Sequence, residues 1–92
     1  MTDSLIDEEK NFYIRNGIQG HALDDMRREF YLSNIVNPDD AYTNDDLEVT
    51  WLQEQSGITR SDNADDLWFL WLSPIYGNKT VDDLRYEYYL NN

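Results

Sequence analysis

Ninety-two residues suffice for one compact domain spanning 1–92, and a chain of this size buries only about 60–65% of its unfolded surface, so its core must be dense in large side chains. Nineteen acids against seven bases give a formal charge of -12, a field that disfavours direct contact with nucleic acid or anionic lipid and favours a basic protein partner. The absence of Cys excludes disulfides, thiolate metal sites and a Cys nucleophile, the longest apolar run, 67–72, falls far short of the roughly 20 residues a membrane span needs, and the acidic first ten residues are not expected to be a signal peptide.

In chain order the sequence predicts five helices, over 4–16, 22–34, 44–55, 63–73 and 81–90. Ser4 caps the first and Gly17 stops it. The second begins beside Ala22, a poor cap, so it starts at His21 or starts less firmly; Pro38 closes the segment behind it. Thr43, Asn63 and Thr80 cap the remaining three, and Gly57 and Gly77 follow the third and fourth. Strand alternation does not recur along the chain. Three Trp, seven Tyr and three Phe, each able to bury roughly 150–250 Å², supply the core despite the high charge.

These helices are copies of one pattern. The segments 24–34 and 82–92 are identical at seven of eleven positions, and looser copies begin at Asp45 and Asp65, so the copies lie 17 to 21 residues apart. Each reads Asp-Asp-(Leu/Met)-x-x-x-aromatic, with the Leu or Met and the aromatic four apart on one helix face. The second Asp of a pair falls three residues after its cap, the capping-box position, and acids in the first turn suit the helix dipole. The apolar segment 67–72 predicts a central helix, with Leu67, Leu70 and Trp71 in the core and Met26, Phe30, Leu47, Trp51, Leu84 and Tyr88 around them. The expected fold is therefore all-α, a compact bundle of about five short helices.

No catalytic constellation emerges. The four Asp pairs are explained together by capping, and adjacent carboxylates on one turn diverge. The stretch from Asn37 to Glu48 resembles a calcium loop in spacing, but Ala41 lacks a ligand oxygen and Tyr42 stands where the sharp turn needs Gly. His21 stands alone, and Gly17 and Gly20 lack the Lys, Ser or Thr of a phosphate loop. No metal and no cofactor are expected, and the chain reads as non-enzymatic. The candidate partner-binding residues are Arg27, Arg28, Tyr31, Arg85, Tyr86 and Tyr89, because Arg and aromatics are enriched at interfaces. Ion pairing with Glu29, Glu87 or an Asp pair is the other role open to the arginines.

The repeated Asp-(Leu/Met)-Arg-x-x-(Phe/Tyr)-Tyr helix behind a Gly-containing loop, at 20–31 and 77–89 with partial matches at 44–52 and 57–72, resembles a group of small phage-encoded proteins. These carry a Gly…Asp-Leu-Arg-x-x-Tyr-Tyr signature and are often encoded among virion structural genes. In the two middle copies Glu48 and Trp68 replace the Arg, which confines any role of that Arg to the first and last. The resemblance implies a virion-associated structural protein, acting on the capsid, neck or tail and found in the virion or the host cytoplasm. The acidity supports a second expectation, a DNA mimic that inhibits a nucleic-acid-binding protein.

Overall fold

A computed structural model describes residues 4–20 and 22–92. It is all-α: α1 Leu5–Arg15, α2 Leu23–Asn34, α3 Asn44–Ser56, α4 Ala64–Tyr76 and α5 Val81–Asn91. The caps act as their sequence requires. Ser4, Thr43, Asn63 and Thr80 each accept a hydrogen bond from the backbone N–H three residues on, satisfying one of the donors a helix start leaves open. At α3 the Asp46 carboxylate also accepts from the Thr43 N–H, completing a capping box. Ala22 gives α2 no side-chain cap, and His21 lies outside the described residues. Gly57 takes the left-handed conformation, φ 73°, that ends α3. The fourth helix runs past its expected end at Ser73, through Pro74 to Tyr76. Proline there removes a single donor in the last turn, and the chain turns out at Gly77, φ 104°.

Counting from the cap, the repeat reaches one helix further than the paired aspartates show. Ser4 to Tyr13 aligns with Thr80 to Tyr89, so α1 is a fifth copy whose Asp pair has become Ile6-Asp7. The fourth residue after each cap is Glu8, Met26, Leu47, Leu67 or Leu84, and the ninth is Tyr13, Tyr31, Leu52, Leu72 or Tyr89; all ten are buried. The eighth is always aromatic, and these five rings close on one another. Centroids are 5.2 Å apart for Phe12–Phe30, 5.5 Å for Phe30–Trp51, 5.9 Å for Trp51–Trp71, 5.0 Å for Trp71–Tyr88 and 5.4 Å for Tyr88–Phe12. Edge-on and tilted contacts at this spacing each add to simple area burial.

The helices form the same closed circuit. Each packs on its chain neighbours, and α5 closes on α1. Equivalent positions of neighbouring helices meet at the same level, and the ends agree: the Asn44 side chain donates to the Asp24 carbonyl near two helix starts, and Arg15 donates to the Tyr89 carbonyl near two helix ends. The helices therefore run in the same sense around the ring, and their starts gather at one end of it. The molecule is a disc of 35 × 34 × 17 Å, its thickness close to the roughly 16–20 Å length of helices of 11 to 13 residues at 1.5 Å per residue.

This arrangement corrects two sequence expectations. No helix is central, because α4 touches only α3 and α5. Within α4 the core positions are Leu67, Trp68 and Leu72, whereas Leu70 and Trp71 are half-buried; an all-apolar run gives no phase by which to tell its inner face. In α5 the fully buried tyrosine is Tyr89, with Tyr88 half-buried in the aromatic ring.

Candidate protein-binding site

The fifth residue after each cap is Glu9, Arg27, Glu48, Trp68 or Arg85, and the five form one continuous chain of contacts running from Arg27 through Glu9, Arg85 and Trp68 to Glu48. Glu9 is fully buried. Arg27 donates to it twice, Nε to Oε2 at 2.6 Å and a terminal nitrogen to Oε1 at 2.8 Å, and Arg85 donates to Oε1 at 3.0 Å. The Tyr13 hydroxyl donates to Oε2 at 2.6 Å. Further round, the Arg85 guanidinium lies 5.5 Å over the Trp68 ring, and Trp68 Nε1 donates to Glu48 at 2.9 Å. Burial alone would push the Glu9 carboxyl up; hydrogen bonds from Arg27 and Tyr13, with the charges of Arg27 and Arg85, outweigh it and hold the group below its ordinary 4.5. Burial pushes the Tyr13 and Tyr31 phenols well above 10, and Tyr88 up to about 12.

Five of the six candidate partner-binding residues are drawn into this interior or into the connections. Tyr31 and Tyr89 are buried and offer a partner no surface, because each occupies an inward position of the repeat. Arg27 and Arg85 serve Glu9, with side chains 30% and 16% exposed. Arg27 also meets Asp24 at 3.7 Å, the pairing within a copy that the sequence allowed. Arg28 donates to the Asp40 and Tyr42 carbonyls at 2.6 and 2.8 Å and to Asn44 at 3.2 Å, pinning the connection 35–43 against α2. Tyr86 is half-buried. Arg27, Arg28 and Tyr86, and to a smaller extent Arg85, are thus the members of the set that keep some outer surface.

Sequence reasoning missed Glu9, whose arginine partners stand 18 and 76 residues away. Alignment on the cap would have found it, since Glu9 then falls level with the two arginines.

The outer surface carries a different feature. Asp24 and Asp25, Asp45 and Asp46, Asp65 and Asp66, and Asp82 and Asp83 are all exposed, in the first turns of four helices whose starts share one end of the ring. Between α3 and the segment leading into α4 this acidic end continues into a groove of two adjoining hollows, about 420 and 360 Å³, that share Val49 and Asp62. Tyr42, Asp46, Thr50 and Gln53 complete one hollow, and Asp45, Glu48, Asn63, Ala64 and Asp65 the other. Five of these side chains are carboxylates and none is basic. The groove suits a cationic side chain that can lie on Tyr42 and Val49 while its charge meets the acids.

Comparison of the chain with protein-family models, with curated proteins and with solved structures finds no match. Among the described residues no helix is long and apolar enough to cross a membrane.

Proposed function

We propose that this chain is a non-enzymatic, virion-associated phage protein that docks its acidic end on a basic surface of a capsid, neck or tail protein. The observation that carries the reading is the placement of the paired aspartates: same-sense packing gathers them at one end of a disc, beside an acid-lined groove with an aromatic wall. Charge so arranged steers encounter and selects a basic partner. The buried network supports a scaffold role, since its groups are engaged with one another and Glu9 is closed to solvent. The repeated Asp-(Leu/Met)-Arg helix, similar to that of small phage proteins, supports the setting.

The same aspartates, recurring at equal positions around the disc, support a second reading, a DNA mimic directed at a nucleic-acid-binding protein of the host. Quantitative mass spectrometry of gradient-purified particles of the source phage tests the first against the second. A fixed ratio to capsid or tail proteins is the expected result. Abundance in infected cells with absence from particles would overturn it and turn the search to a host target, whose binding should then weaken steeply with salt.

A further inference from the structure

Five helices with nearly the same inner face pose a sorting problem. The eighth residue is always aromatic, the ninth is Tyr or Leu, and the fourth is Leu or Met in every copy but α1, where it is Glu8, so from α2 to α5 the apolar layers alone give any copy a reasonable fit beside any other. The fifth residue is where the copies differ most. Read around the ring, Glu9, Arg27, Glu48, Trp68 and Arg85 run negative, positive, negative, neutral, positive, and α5 then returns to α1. No two neighbours carry like charge. We propose that this layer fixes the order in which the five similar helices pack, and so keeps α1 in its own slot between α2 and α5 rather than in another slot or another copy of the chain.

The slot that α1 fills has an arginine on each side. A helix with Arg at that level would bring a third positive charge beside the two arginines, and one with Trp would leave Arg85 without a counter-charge and Arg27 with only the exposed Asp24, a state costlier than an exposed unpaired ion. The other acid-bearing copy, α3, is set apart one turn on. Tyr13 donates its hydroxyl to the Glu9 carboxylate, whereas α3 has Leu52 at that level. Buried ion pairs contribute little net stability against apolar residues of similar size, and fixing register is their best-attested use. The Arg85 Nε, buried with no hydrogen-bond partner among the described residues, fits a group retained for position at some cost in stability.

Charge inversion tests the proposal. Glu9→Arg with Arg85→Glu restores the α1–α5 pair but sets like charges together at α1–α2; adding Arg27→Glu, with Glu48→Gln so that two acids do not then meet at α2–α3, restores both contacts while leaving Trp68 an acceptor. The double variant is expected to stay helical by circular dichroism yet to lose the single state, giving several amide signals per residue or a dimer by light scattering. The quadruple variant should return one monomeric species with one signal set. A double variant that is already a single monomer overturns the proposal, and so does a quadruple variant no better ordered than the double. The apolar set Glu9→Leu, Arg27→Met and Arg85→Met gives a second test: it should stay helical and lose its single state, and a monomer with one signal set contradicts the ordering role.

Discussion

The two sides of the ring are joined at the same level by different chemistry. Where α1 meets α2 and α5, the joint is a solvent-closed carboxylate held by two guanidiniums and a phenol. Where α3 meets α4, it is an indole on a half-buried glutamate, set among Leu47, Trp51, Leu52 and Leu67. One backbone plan thus carries two kinds of joint, one that depends on charge balance and one that depends on volume. The first should respond to pH and to loss of a single charge, and the second to loss of ring atoms.

The largest effect should follow removal of the charge that balances two others. Glu9→Ala leaves Arg85 without its counter-charge and Arg27 with only the exposed Asp24, and is expected to cost about 3–5 kcal/mol, a fall in Tm of some tens of degrees at roughly 4–8 °C per kcal/mol, read by thermal melting. On the other side, Trp51→Ala removes a ring in contact with Phe30, Trp68 and Trp71 and should cost about 3–5 kcal/mol through the cavity alone, with no change in the acid dependence described next.

Acid separates the two joints more sharply. The Glu9 carboxyl is held below 4.5 in the folded chain, so its contribution is present above the unfolded value and is lost as pH falls through the folded one. Urea unfolding from neutral pH downward should show that loss below 4.5 in the wild type. Glu9→Gln should flatten it while Trp68→Phe keeps it, and equal slopes in the two variants would refute the assignment. At the alkaline end the Tyr88 phenol is pushed up to about 12 by burial. Its contribution is present below 10 and is lost as pH rises from 10 to about 12, which stability measurements with tyrosinate absorbance would follow.

The smallest expected effect is a gain. Ala22 has the extended backbone of a cap, φ -69° and ψ 145°, without a side chain to accept from α2. Ala22→Ser should add about 0.5–1 kcal/mol, and Thr80→Ala should lose about as much.

Local chemistry made the helices legible. Ser4, Thr43, Asn63 and Thr80 announced their starts, Gly17, Gly57 and Gly77 their ends, and the Asp pairs their first turns. The order of the ring, and with it the Glu9 site, was not legible, because both rest on contacts between residues far apart in sequence. Aligning copies on the paired aspartates hid α1, whose pair is Ile6-Asp7, although its cap and its Phe12-Tyr13 stand where Thr80 and Tyr88-Tyr89 do. Two of the partner-binding candidates were misplaced for the same reason: Tyr31 and Tyr89 look available on isolated helices and are buried once five copies close.

Closure of the ring is the claim on which the rest depends, and it has a direct reporter in Phe12, the α1 member of the aromatic circuit. Nuclear Overhauser effects between selectively labelled aromatic rings would measure it. The structure predicts cross-peaks from Phe12 to both Phe30 and Tyr88, whose centroids lie 5.2 and 5.4 Å away. A Phe12–Phe30 cross-peak without one to Tyr88 would describe an open row of helices and contradict the closed ring.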